Sequence, residues 1–242
     1  MRAESLVEVQ PWDPGLLIPD DAAWTALDRL AKDPAYWDWL APSHFAVQTE
    51  SLRHFAESEG IQRSRDPLRI LYAVNQCIYD AFEYVPASTE VDSPIDVALT
   101  SRRGVCQDYT HIFIALTRHL GIPCRYVSGY LFHGEDRQDR SAEDATHAWA
   151  EAFLPDHGWI GFDPTNNLVA QGRHIRVAIG RDYVDVPPTK GVFLGDATSE
   201  LDVGVQVTLA ERPAPEEELI PPTGWVPPED VGSEQQQQQQ QQ

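Results

Sequence analysis

The sequence predicts an α+β fold in which a central helix packs on an antiparallel sheet. Two observations point there. Apolar residues recur at helical spacing through Leu120, and from Arg125 onward they alternate at strand spacing. Helices therefore come first and strands follow, the order of segregated layers rather than of repeating βαβ units.

Leu6 to Val9 alternates and is expected to form a short strand. Asp20 or Asp21 is placed to cap a helix through Leu30, with Trp24, Leu27 and Leu30 on one stripe. A second helix is expected over residues 51–59. Asp66-Pro67 is a helix start, a capping acid followed by proline at the first position. Leu71, Val74, Ile78 and Phe82 continue that helix at helical spacing. Residues 86–94 read as a polar loop.

Cys106 opens the central helix, which runs on through Tyr109, Ile112, Phe113, Leu116 and Leu120 and is ended by Gly121 and Pro123. Residues 125–132 are rich in β-formers and read as a strand. Residues 133–145 read as a charged, solvated loop. Two strands, 147–153 and 159–162, are joined by Leu154-Pro155-Asp156-His157-Gly158. Further strands are expected at 175–179 and 203–209. From about Arg212 the chain is rich in Pro, Glu and Gln and ends in Gln235–Gln242, a composition that does not build a core. The expected division is a 1–60 N-terminal region, a 61–211 catalytic domain and a disordered 212–242 tail.

Composition narrows the function. With 18 Lys plus Arg against 38 Asp plus Glu, the formal charge is −20. Such a surface repels phosphate backbones and anionic membranes, so neither nucleic acid nor membrane is an expected partner. No stretch approaches the roughly 20 apolar residues of a membrane helix. The start, Met1-Arg2-Ala3-Glu4-Ser5, lacks the basic-then-apolar pattern of a signal peptide, which leads to a cytoplasmic expectation. Three widely spaced cysteines, Cys77, Cys106 and Cys124, do not make a disulfide framework.

Cys106 stands where unpaired backbone N–H groups and the helix dipole favour a negative sulfur and an oxyanion beside it. Gly104 lets the chain turn and lets a substrate approach. A cysteine at a helix start is ordinarily an inert small residue, and the residues downstream are what single this one out. Cys77 reads as core and Cys124 as packing at a strand start. His147, Trp149, Glu151 and Phe153 share one strand face. A hairpin centred near Pro155 sets His147 directly opposite Asp163, close enough for a hydrogen bond. A thiol at a helix start and a base oriented by an acid form a nucleophile, base and orienter: Cys106, His147 and Asp163. Asp144, three residues before His147, is the rival orienter. His111 and His119 fall on the central helix, His133 and His157 in loops, and His44, His54 and His174 have no partner legible in the pattern. No metal and no cofactor are expected.

At these residues the chain resembles the bacterial transglutaminase-like proteins. Gly104-Val105-Cys106-Gln107-Asp108-Tyr109-Thr110-His111 resembles their nucleophile motif and Gly121 to Tyr130 the strand after it. Asp144-Ala145-Thr146-His147-Ala148-Trp149 resembles the histidine motif. Gly158-Trp159 through Phe162-Asp163-Pro164-Thr165-Asn166-Asn167 resembles the aspartate motif, and Gly180-Arg181-Asp182-Tyr183 with Asp185-Val186-Pro187-Pro188 a further signature. The resemblance spans roughly residues 60–210. It implies a papain-like core and acyl-enzyme chemistry on an amide. A peptide or protein substrate is expected, with hydrolysis preferred to transamidation because transfer needs an acceptor site and the sequence reveals none. It also implies that residues 1–60 are a shortened form of the β-rich segment that precedes the core in this group. Thr110 and Cys124 stand where the family commonly has Ala, and both are small enough to fit.

Overall fold

The computed structural model describes residues 3–10, 22–64, 66–134, 139–142, 144–155, 157–188 and 204–211. The chain divides into two units, Met1–Thr208 and Leu209–Gln242. Of the second only residues 209–211 are described, so the tail, like the proposed caps Asp20 and Asp21, lies outside the described residues.

The first unit is an α+β assembly. Helices α1 (Ala23–Leu30), α2 (Trp37–Leu40), α3 (Glu50–Ser58) and α4 (Pro67–Ala81) precede the site. The starts of α3 and α4 follow from local chemistry. The Thr49 hydroxyl accepts from Leu52 N–H, and Asp66 accepts from Leu68 N–H just before Pro67. A short parallel pair follows, β1 (Glu83–Tyr84) with β2 (Arg103–Gly104), enclosing α5 (Ile95–Ser101). Neither α5 nor the β1–β2 pair is legible in the sequence. Seven residues carry little periodicity, and a two-residue strand exists only through its distant partner. Arg102, in the left-handed region at φ 57°, ends α5.

Central helix α6 (Cys106–His119) is buried along nearly its whole length and ends at Gly121, φ +81°. Five strands form the main sheet: β3 (Cys124–Leu131), β4 (His147–Leu154), β5 (Gly158–Asp163), β6 (Leu168–Val169) and β7 (His174–Gly180). Their order is β6-β5-β4-β3-β7, every pairing antiparallel. Ala148, Ala150, Ala152 and Leu154 of β4 join α6 in one core with Ile112, Phe113 and Leu116. Three alanines in alternation let a helix lie close on the sheet, and the residues between them, His147, Trp149 and Glu151, are left for other work.

Three expectations need correction. Residues 6–9 form no strand, and Leu6 is exposed. Residues 204–209 form no strand either: Val205 N–H donates to the Asp144 carbonyl at 2.9 Å, a bond outside any ladder, and Val203 lies outside the described residues. The loop after β3 is not simply solvated. Asp139 is nearly buried and pairs with Arg173 at 2.7 Å and with His133 at 3.2 Å.

Candidate active site

Cys106 is the first residue of α6 and is partly exposed, as a nucleophile must be. The helix start is held from two sides. The Asp108 carboxylate reaches back to the Val105 N–H at 2.8 Å and accepts the Thr89 hydroxyl proton at 2.6 Å. Burial raises the Asp108 pKa, against which these donors pull it down. A Cβ at Gly104 would come within 2.9 Å of Asp108, so the glycine is needed for this close turn. The Thr110 hydroxyl donates to the Cys106 carbonyl at 2.8 Å. Tyr84, brought alongside by its pairing with Gly104, has its phenol pushed up to about 12 by burial and then by the Cys106 charge, so it keeps its proton.

His147 begins β4 and Asp163 ends β5, and both side chains are buried. His147 Nε2 lies 2.8 Å from Asp163 Oδ2. The predicted contact is present, but the predicted register is not. Phe153 faces Trp159 and Ala150 faces Phe162, a shift of two residues from a ladder that pairs His147 with Asp163. The hairpin is centred one residue later than Pro155, with Leu154 facing Gly158, which stands at φ +72°. A shift of two keeps every side chain on its face. Asp163 then becomes a diagonal neighbour of His147, still within reach of a carboxylate and an imidazole. The rival Asp144 is exposed, so burial and hydrogen bonding both place the partnership with Asp163.

Asp163 is saturated with donors. Its Oδ1 accepts the backbone N–H groups of Thr165 (3.0 Å) and Asn166 (3.2 Å). Its Oδ2 accepts His147 Nε2, Asn166 Nδ2 (2.9 Å) and His174 Nε2 (3.1 Å). Burial alone would raise this carboxyl, but His147, then His174, outweigh it and hold it far below the ordinary carboxylate range. Burial likewise works against a charged His147, and the Asp163 carboxylate followed by Cys106 reverses that and raises its pKa. With Nε2 engaged, Nδ1 of His147 is buried without a hydrogen-bond partner, and Cys106 is a neighbour that acts on the ring by raising its pKa.

The other cysteines are poor nucleophiles. Burial pushes both Cys77 and Cys124 to about 12, so they remain thiols. His111 is buried, stacked on Phe45, and driven down to about 3 by desolvation. It accepts the Tyr183 N–H and belongs to the packing.

Sequence reasoning missed two residues at this site. Asn166 bridges Asp163 to the loop before β4, accepting the Arg140 N–H at 2.7 Å and donating to the Ser141 hydroxyl at 3.1 Å. Its place in the aspartate motif was the available signal. Nothing in the local sequence of His174 announces Asp163. His147, Asp163 and His174 offer three ligand atoms within 4.8 Å of one another, a geometry that a metal ion can use. The same atoms are 2.8 and 3.1 Å apart as hydrogen bonds, so an ion would have to displace both shared protons.

The model of the transglutaminase-like superfamily matches residues 56–164. An uncharacterized protein of Mycobacterium leprae is 34% identical over 209 residues, 86% of this chain and 72% of its own length. The protein-glutamine gamma-glutamyltransferase of Pseudomonas aeruginosa is 28% identical over 124 residues, 45% of this chain but 17% of that enzyme. The crystal structure of a candidate cysteine protease from Cytophaga hutchinsonii is 30% identical with a TM-score of 0.53, over 64% of this chain. The chain spans half the length of that structure. Among the described residues, no helix is long and apolar enough to cross a membrane.

Proposed function

This chain belongs to the bacterial transglutaminase-like family, and from that premise we propose that it is a cysteine acyl-enzyme catalyst that hydrolyses peptide or glutamine amide bonds. The observation that carries the reading is the disposition of His147. One ring nitrogen is fixed on Asp163, and the other is buried without a hydrogen-bond partner on a ring whose pKa is raised by Cys106, the only cysteine placed at a helix start.

The reaction follows from that arrangement. His147 Nδ1 takes the Cys106 thiol proton, and the raised His147 pKa favours the resulting imidazolium. Sulfur attacks the amide carbon. The Cys106 backbone N–H, one of the unpaired groups at the start of α6, faces the oxyanion. The C–N bond breaks, and ammonia or an amine leaves with the proton from His147. Water, deprotonated by the same nitrogen, cleaves the thioester. The acid is released and the thiol returns.

The partial likeness to a protein-glutamine gamma-glutamyltransferase favours a second reading, in which an amine rather than water resolves the thioester. Profiling the purified protein on a peptide library, with and without a fluorescent primary amine, separates the two. Cleavage or deamidation that Cys106→Ala abolishes is the expected result. Amine incorporation into a Gln peptide, lost in the same variant, would make it a transamidase. Neither product, together with no selective alkylation of Cys106, would leave a binding module that keeps the fold.

A further inference from the structure

Asp163 Oδ2 carries a second imidazole. His174 Nε2 lies 3.1 Å from it, and the side chain is 3% exposed. The tautomer of His174 is set by its other nitrogen. The backbone N–H of Gln171 points at Nδ1 from 3.3 Å, so Nδ1 accepts and Nε2 holds the hydrogen given to Asp163. The same short turn is closed by the His174 N–H on the Gln171 carbonyl at 2.7 Å.

The way His174 reaches the site is unusual for a sheet residue. It stands on β7, two strands from His147, with β3 between them. Strand spacing puts such backbones roughly 9–10 Å apart, yet the two rings are 6.1 Å apart. Two devices make this possible. The first is a bulge: Ser128 pairs with Ala178 but Gly129 pairs with Arg176, leaving Val177 unmatched. A one-residue slip exchanges the faces of a strand. Without it His174 would lie opposite Phe132, on the reverse face. With it His174 lies opposite Leu131, on the face of Gly129 and of His147, Gly129's partner on β4. The second device is Gly129 itself. A Cβ there would run into the Ile175 carbonyl and come within 2.6 Å of the Trp149 ring. The space is taken by the Trp149 indole, which stacks beside His147 at 6.1 Å and meets His174 edge-on at 5.1 Å.

We infer that His174 is a positioning residue: its Nε2–H, with Asn166, fixes the Asp163 carboxylate so that Oδ2 stays on His147 Nε2 and Nδ1 stays on Cys106. A carboxylate left with fewer donors can rotate about its last bond and offer His147 a different oxygen or none. His174 then acts on the thiol only through Asp163 and His147. The inference rests on the proposed Cys106–His147 pair, not on any substrate.

The test is therefore a substrate-free one, the rate of Cys106 alkylation by iodoacetamide at neutral pH in the full chain. His174→Phe keeps the ring that packs on Trp149 and loses the donor. His174→Asn keeps polarity but puts its amide nitrogen where Nδ1 was. His174→Gln puts an amide N–H near the Nε2 position. The expected result is about a tenfold slower alkylation in folded Phe and Asn variants, and recovery to within about threefold in Gln, with the effect of His174→Phe reduced to less than about twofold in a His147→Ala background. If Phe fails to fold, Asn reads the same loss. Wild-type rates in Phe, equal losses in Phe and Gln, or an undiminished loss when His147 is absent would each overturn the inference. A wild-type rate that does not depend on His147 at all would instead bring down the functional reading beneath it.

Discussion

His147 Nε2 and Asp163 Oδ2 lie 2.8 Å apart inside the protein, joined diagonally across β4 and β5 rather than as ladder partners. The bond ties the end of one strand to the start of another and fixes the orientation of the ring beside Cys106. Breaking it should cost chemistry more than it costs the fold.

Asp163→Asn should fold and lose activity by about 10²–10⁴-fold, the range expected when an orienting carboxylate becomes an amide. Asp144→Asn should stay close to wild type, since Asp144 is exposed. Activity lost in Asp144→Asn and kept in Asp163→Asn would reverse the assignment.

Cys106→Ala should abolish turnover and selective alkylation, while Cys77→Ala and Cys124→Ala retain both. Burial holds the latter two as thiols near 12. Mass spectrometry after brief iodoacetamide treatment reads this directly, and a label on Cys124 in the native protein would contradict it.

The same pair makes stability depend on pH at both ends. Asp163 is lowered in the folded state, so its contribution is present above the unfolded carboxylate value of about 4 and is lost as pH falls below it. His147 is raised, so its contribution is full below the unfolded imidazole value of about 6.5 and is lost as pH rises through the folded value. Thermal unfolding across pH should show both limbs in wild type and a flatter curve in Asp163→Asn. Identical curves for the two proteins would show that the pair does not titrate as described.

Gly129→Ala should destabilise the protein by about 1–3 kcal/mol, the ordinary cost of overpacking, because the new methyl meets the Ile175 carbonyl and the Trp149 ring. Urea unfolding measures it. Since the displaced indole also packs on His174, Cys106 alkylation should slow in this variant as well. A neutral change in both would mean that the sheet relaxes around the methyl.

Much of the site was legible in sequence. Asp66-Pro67 caps a helix by its own chemistry, and the apolar spacing after Cys106 makes a helix wherever the segment packs. Strand alternation put His147 and Asp163 on faces that meet. That contact survived a wrong register because the error was two residues and the side-chain period is two. Residues 6–9 and 204–209 alternate yet form no strand, because alternation sets only the side-chain faces and a strand is made by its pairing.

What the sequence by itself determined was the helix that starts at Cys106, the strands that carry His147 and Asp163, and the kind of chemistry these three residues suit. Each depends on neighbours a few positions away: a cap, a periodicity, a turn. What only the tertiary structure decided was the company Asp163 keeps. Asn166 is turned toward it by Arg140 and Ser141 from another loop. His174 arrives from two strands away, through an unmatched Val177 and the space left at Gly129. A one-residue bulge reverses which face a strand presents, and it arises from pairing with a distant strand, so no local pattern around His174 encodes it.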